Sequence, residues 1–257
     1  MLKNKVIVVT GASSGIGAMT AEMLSSEEAY VILAGRSEER LKQVGSRMKG
    51  PYEIVLLDVR DAKQVKEVFD QIERKHGKID VLLNNAGYGI FETFIDMPQD
   101  QFEDMMNVNY MGIVRCTQAV LPGMLRRKSG QIVNVASMAG KIGSAKSTAY
   151  SATKHAVLGL TNSLRQELRG TGITVSAVNP GPIDTPFFSL ADPSGGYVKN
   201  ISWFMMKPEY VSGRIVKLIR KRKEEIDLPR LAGAGIRLYH LFPRLADRMS
   251  YRWMNKK

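Results

Sequence analysis

Short apolar runs alternate along this chain with longer segments whose apolar residues return every third or fourth position. The runs KVIVV (5–9), YVILA (30–34), EIVLL (53–57), IDVLL (79–83), QIVNVA (131–136) and ITVSAV (173–178) each read as a strand. Most are apolar almost throughout, the pattern of strands covered on both faces of a parallel sheet. Between them, 62–75 sets Val65, Val68, Phe69 and Ile72 at helical spacing. A weaker seventh strand reads at EIDL (225–228). Repeated strand–helix alternation predicts an α/β fold, a doubly wound parallel sheet of about seven strands with right-handed crossovers. No internal repeat or low-complexity linker interrupts it. The reading is one domain over 1–228, with an insertion-like segment at 186–206 and a C-terminal extension over 229–257.

Composition narrows the class. The chain has 257 residues, 44% hydrophobic and 24% charged, as in an ordinary folded domain able to bury a sizeable core. Its single cysteine, Cys116, excludes an internal disulfide framework. With only His76, His155 and His240 to add, no metal site is expected. No apolar run approaches the ~20 residues of a membrane-spanning helix. The start, MLKNKVIVVTG, passes from a short basic stretch straight into a strand, so no signal peptide is read and a cytoplasmic protein is expected. The net charge is +12, and it is unevenly placed: residues 207–257 hold 14 Lys and Arg against 5 Asp and Glu, whereas 1–206 hold 23 against 20. A nearly neutral body carries a basic end.

Candidate chemistry begins directly after the first strand, at Thr10-Gly11-Ala12-Ser13-Ser14-Gly15-Ile16-Gly17. Glycines in such a turn permit a tight bend, close backbone approach to a pyrophosphate, and close helix–strand packing. The helix that follows directs free N–H groups and a positive dipole end at an anion. The second strand ends in Gly35 with Arg36 beside it, where a cofactor lacking a 2′-phosphate usually meets a carboxylate. A guanidinium there can grip a 2′-phosphate with paired hydrogen bonds, so NADP(H) is the expected cofactor. Ser13, Ser37 and Arg40 can add donors. Asp58 and Val59, after the third strand, are placed to border the adenine.

Asn84-Asn85-Ala86-Gly87 follows the fourth strand, Ser137 the fifth, and Tyr150 and Lys154 fall on the next helix. An open α/β sheet places its ligands beyond these strand ends. Tyr150 and Lys154, four residues apart, share one helix face. That spacing lets an ammonium lower the pKa of a phenol from about 10, poising it as a general acid or base. Ser137 can hydrogen-bond the same substrate oxygen. Singly, each feature has a plain reading: a surface pair, a helix cap, an ordinary turn. Their order on one α/β pattern sets them apart.

Together these motifs, with Asn109 in NVNYMG and Pro180-Gly181, resemble the short-chain dehydrogenase/reductase family over about residues 3–190. The resemblance implies a Rossmann-like fold and an oxidoreductase, NADP-dependent here on the strength of Arg36. It implies that Tyr150 exchanges a proton with the substrate oxygen as hydride moves, that Lys154 binds the nicotinamide ribose, and that Ser137 orients the oxygen. Asn109 then supports a proton-relay water beside Lys154. Pro180, Gly181, Ile183 and Thr185 match the stretch bordering the nicotinamide carboxamide and diphosphate. A homodimer or homotetramer is expected by the same resemblance. One departure bears on the cofactor: Ser14 stands immediately before the second glycine, where many NADP-dependent members carry a basic residue.

The segment 186–206 combines Pro, Ser and Gly with Phe187, Phe188, Leu190, Tyr197, Trp203, Phe204, Met205 and Met206, which suits a lid over an apolar pocket. A small hydrophobic ketone, aldehyde or secondary alcohol is the expected substrate. A cofactor-binding regulatory protein could keep the glycine turn but has no need of Ser137, Tyr150 and Lys154 together. An epimerase or dehydratase using the same Tyr and Lys is the nearer alternative. A nucleic-acid partner is not expected, because the basic residues are not interleaved with exposed aromatics. From Gly235 on, Leu238, Leu241, Phe242, Leu245, Met249 and Trp253 recur at helical spacing, with Arg237, Arg244, Arg248 and Arg252 on a neighbouring stripe. Pro243 opens a new helix, giving two short basic amphipathic helices. They pack on the body or a partner subunit, or lie peripherally on an anionic membrane surface at the inner face.

Overall fold

The computed structural model describes residues 2–241 and 243–244. Seven parallel strands form one sheet: β1 (Val6–Thr10), β2 (Tyr30–Gly35), β3 (Tyr52–Leu56), β4 (Val81–Asn84), β5 (Gly130–Val135), β6 (Ile173–Pro180) and β7 (Glu225–Leu228), in the order β3-β2-β1-β4-β5-β6-β7. The strand order reverses between β1 and β4, and the crevice beyond the carboxyl ends of these strands is where open α/β sheets bind ligands.

Two apolar layers enclose the sheet. Strand positions alternate between them: Ile7, Val9, Val31 and Leu33 face one side, Val8, Ile32 and Ala34 the other. The first layer is closed by α1 (Gly15–Ser25), α2 (Glu38–Gly45) and α9 (Pro208–Lys221), through Ala21, Leu24, Leu41, Ile215 and Ile219. The second is closed by α3 (Ala62–His76) and α5 (Gly112–Arg127), through Phe69, Ile72, Cys116 and Val120. α3 begins at its cap Asp61, whose carboxylate accepts from the N–H groups of Lys63 and Gln64, and ends at Gly77 in the left-handed region. β3 departs from the fully covered pattern: it is an edge strand, and Tyr52 and Leu56 are exposed.

α4 (Gln99–Met106) runs into α5 through a single wide π turn, Asn107–Met111, and α6 (Thr148–Glu167) carries the Tyr150 and Lys154 positions. The 186–206 segment folds as two short helices, α7 (Phe187–Ala191) and α8 (Gly196–Ile201). At the C-terminal side the helix expected from Gly235 begins earlier, as α10 (Arg230–Leu241). The Pro229 carbonyl accepts from the N–H groups of Ala232 and Gly233, which starts the turn there. A Cβ at Gly233 would lie 2.6 Å from Asp227, so the glycine allows α10 to sit against β7. Phe242, Leu245, Arg248, Met249, Arg252 and Trp253 lie outside the described residues; of the helix expected to open at Pro243, Pro243 and Arg244 are described, and both are helical. No helix among the described residues is long and apolar enough to cross a membrane.

Candidate active site

At the β1 carboxyl end the chain makes a turn that requires glycine at three positions. Gly11 and Gly15 take positive φ, 65° and 56°, a conformation open to glycine. A Cβ on Gly17 would meet Asn85 Nδ2 and the Gly11 carbonyl oxygen, both at 2.4 Å. Asn85 is the brace: its Nδ2 donates to the carbonyls of Thr10 and Gly11 at 3.0 and 3.1 Å. Thr10 Oγ1 accepts from the N–H groups of Asn85 and Ala86, tying the β4 loop to the turn. α1 therefore starts beside an open cradle, with its N-terminal dipole aimed into it. The cradle fits a dinucleotide pyrophosphate. Arg36 is exposed beside it, with no ion-pair partner among the described residues, and its charge helps to lower the carboxyls of Asp58 and Asp104. Asp58 is held chiefly by Arg60, whose Nε and Nη2 donate to its carboxylate and keep its pKa below the usual range.

Asn109, at the centre of the π turn, is fully buried. Its Nδ2 donates to the Tyr88 carbonyl and to Thr153 Oγ1, and its Oδ1 accepts from the Tyr88 N–H. The side chain is thus committed to holding the 87–88 segment against α6. A Cβ on Gly87 would lie 2.9 Å from Asn109 Oδ1 and 3.7 Å from Lys154 Nζ, so the absence of one brings backbone, amide and ammonium together.

Ser137 is buried at the end of β5. Its Oγ accepts from the Ala139 N–H and donates to the Pro180 carbonyl. Tyr150 and Lys154 stand on one face of α6, as their spacing predicts. The expected lowering of the phenol pKa is not what this arrangement gives. Lys154 Nζ sits 5.7 Å from the Tyr150 ring centroid and donates instead to the Val135 carbonyl at 2.9 Å. Burial dominates both groups: it pushes Tyr150 up to about 12 against the easing effect of a Ser137 hydrogen bond, and brings Lys154 down to about 8.

These ends belong to one cleft of about 850 Å³. Gly11, Ser13, Ser14, Gly15, Ile16, Arg36, Ser37, Arg40, Asp58 and Val59 line one part of it. Asn85, Ala86, Gly87, Ser137, Tyr150, Lys154, Pro180, Gly181, Ile183 and Thr185 line the rest. Gly17 and Asn109 do not line it; they sit behind the wall. The wall also holds residues that the pattern did not single out, notably Tyr88, Phe91, Met138 and Ile142. Phe91 is the hub of an aromatic wall, with ring centroids 6.1 Å from Tyr150, 6.4 Å from Phe187, 6.2 Å from Phe188 and 5.2 Å from Tyr197. Its N–H donates to the Ala191 carbonyl, which fastens α7 to the β4 loop. A position shortly after a strand carboxyl end, in a fold read as doubly wound, was the available signal. In the segment 186–206, Phe188, Ala191 and Ile201 form a buried apolar cluster on which Phe187 and Tyr197 pack; Phe187, Phe188, Leu190 and Tyr197 line the cleft, and Trp203 is exposed.

A glycine cradle at the sheet's switch point, continuous with a buried serine and lysine and a half-buried tyrosine, defines a dinucleotide-fold oxidoreductase. The chain belongs to the short-chain dehydrogenase/reductase family: residues 5–193 match its family profile, described as short chain dehydrogenase. It is 41% identical over 195 residues to an uncharacterized oxidoreductase of Staphylococcus saprophyticus, covering 74% of this chain and 83% of that one. Among solved structures, it is similar to a short chain dehydrogenase/reductase from Burkholderia phymatum in complex with NAD, at a TM-score of 0.87 and 25% identity, over 95% of each chain. It is also similar to a variant of actinorhodin polyketide ketoreductase with NADPH, at a TM-score of 0.80 and 30% identity, over 88% of this chain and 95% of that one.

Proposed function

We propose that the protein transfers a hydride between NADP(H) and a small hydrophobic ketone, aldehyde or secondary alcohol, with Tyr150 as the general acid and base. The observation that supports it most is the continuity of one cleft from the Arg36 end to Ser137, Tyr150 and Lys154. The chemistry the cofactor supplies when bound is the hydride. Gly11, Ser14, Gly15, Ile16 and Gly17 hold its pyrophosphate, with Gly17 acting through the packing of the turn. Ser13, Arg36 and Ser37 take the 2′-phosphate, and Asp58 and Val59 border the adenine. Asn85, Ala86, Gly87, Pro180, Gly181, Ile183 and Thr185 border the nicotinamide half.

In the reducing direction, Ser137 orients the carbonyl oxygen and the Tyr150 phenol gives it a proton as hydride reaches the carbon. With its pKa pushed up to about 12, the phenol carries that proton at neutral pH, which suits it to act as the acid. Protonated Lys154 stabilises the phenolate left behind, and Asn109 positions the Gly87–Tyr88 backbone next to that ammonium. The aromatic wall around Phe91 and Phe187 excludes water and favours apolar substrates. The lid over 186–206 belongs to this catalytic domain, 1–228. The protein works in the cytoplasm as a homodimer or homotetramer, its 229–257 extension in peripheral contact with the inner face of a membrane.

A screen of apolar carbonyl compounds, followed by NADPH oxidation and repeated with NADH, tests the reading. Turnover with NADPH well above that with NADH is expected. Turnover only with NADH would remove the role given to Arg36, and no turnover of any carbonyl or alcohol would overturn the reading.

A further inference from the structure

Away from the active cleft, α9, β7 and the start of α10 enclose a second cleft of about 230 Å³. Arg214, Lys217, Lys221, Lys223 and Arg230 line it, with Leu218 and Ile226 supplying an apolar wall. None of the five cations has an ion-pair partner among the described residues. The nearby carboxylates are committed elsewhere: Glu225 and Asp227 to Lys141, Glu224 to Arg165, and Glu27 to Arg220. Five like charges around one small cavity repel one another, and an anion seated among them relieves that cost.

The adjoining helix carries a second feature. In α10, Leu231, Ala234, Gly235, Leu238 and Leu241 are all exposed and follow one another at helical spacing. Leu231 is 87%, Leu238 63% and Leu241 69% exposed. Gly233, Ile236 and Tyr239, on the other side, are buried or half-buried. An apolar helical stripe beside unpaired cations is the pattern of a helix lying in a membrane interface.

We propose that this face docks on an anionic lipid surface, with a lipid headgroup phosphate in the Arg214–Lys217–Lys221–Lys223–Arg230 cleft and the Leu231–Leu238–Leu241 stripe in the interface. It deepens the peripheral-membrane contact proposed above and is independent of the chemistry at Tyr150. Charge complementarity selects this occupant. A second copy of the chain, related by a two-fold axis, would bring one unpaired cationic cleft up to another. A nucleic acid would want several exposed aromatic rings among the cations; the cation-bearing α9 offers one, Tyr210, and the α10 stripe offers leucines and an alanine.

The test is co-sedimentation of the full chain with phosphatidylcholine vesicles, and with the same vesicles containing phosphatidylglycerol, at low and high salt. Binding only to the anionic vesicles, weakened by salt, is expected. Lys217→Gln, Lys221→Gln and Lys223→Gln together should lower that affinity roughly 100-fold, about fivefold for each charge removed. The corresponding triple Lys→Arg variant should retain binding, and circular dichroism should show all three proteins equally folded. Anionic binding unchanged in the Gln variant overturns the headgroup cleft while leaving the peripheral contact standing. No binding of the unsubstituted chain to anionic vesicles overturns both. Without vesicle binding, stabilisation by inorganic phosphate that the Gln variant loses would mark a free-anion site and overturn the lipid assignment. Loss of self-association in Leu231→Ser/Leu238→Ser, with vesicle binding intact, would assign the stripe to a subunit contact and overturn its place in the interface.

Discussion

Lys154 Nζ donates to the carbonyl oxygen of Val135 at 2.9 Å while standing 5.7 Å from the Tyr150 ring centroid. The bond ties α6 to the carboxyl end of β5 and fixes the ammonium inside the cleft. Its cost is desolvation: a charge held there is less stable than in water, which is why Lys154 loses its proton near 8 rather than at 10.5.

That cost makes stability depend on pH in a defined window. Below about 8 Lys154 is charged in both folded and unfolded chains, and the fold bears the full desolvation penalty. Between 8 and 10.5 the unfolded chain binds the proton and the folded one does not, so stability rises with pH through this group. Tyr150 works the other way above 10, because the unfolded phenol ionises there while the folded one keeps its proton to about 12. Lys154→Met should therefore melt at a higher temperature than the unsubstituted protein at pH 7, with an advantage that shrinks between pH 8 and 10. Thermal unfolding monitored by circular dichroism checks this. A Met variant less stable at pH 7, or an advantage constant to pH 10, would show that burial does not burden the lysine.

Arg36→Ala tests the cofactor end. Removing one charge-assisted hydrogen-bonding group should weaken NADPH by roughly 1.5–3 kcal/mol, with little effect on NADH. Titration of both cofactors by protein fluorescence separates the cases. Equal losses would mean that Arg36 does not read the 2′-phosphate.

Gly17→Ala tests the cradle. The new methyl would press on the Gly11 carbonyl and on Asn85 Nδ2, and the carbonyl is backbone that cannot swing aside. Overpacking of this kind costs about 1–3 kcal/mol, so a lower melting temperature and weakened binding of both cofactors are expected. Normal cofactor binding in the alanine variant would show that the turn has more freedom than its contacts indicate.

The sheet was legible because its strands are nearly unbroken apolar runs; even EIDL, the weakest, forms the strand expected there, β7, and the structure pairs it with β6. The glycine turn and the Tyr-x-x-x-Lys spacing were legible because their geometry is local, confined to one turn or one helix face. The titration behaviour of Tyr150 and Lys154 was not, since it depends on what the rest of the chain folds over them. The same holds for Asn109: its π turn and its bonds to Tyr88 and Thr153 join segments 21 and 44 residues apart in sequence. Phe91 was missed because it lies in a loop without periodicity, and its role as an aromatic hub exists only once α7 and α8 are in place. The early start of α10 turned on the hydrogen bonds of Ala232 and Gly233 to the Pro229 carbonyl, backbone bonds with no trace in the hydrophobic pattern.

The proposed chemistry rests on the proton held by Tyr150, and Tyr150→Phe removes that proton while keeping the ring that packs against Phe91 and Phe187. The measurement is turnover of an apolar carbonyl by this variant beside the unsubstituted protein, at matched NADPH saturation and with NADPH binding measured separately. A fall of roughly 10²- to 10⁴-fold in turnover, with the fold and NADPH affinity preserved, is the expected result. Near-normal turnover by Tyr150→Phe would contradict it.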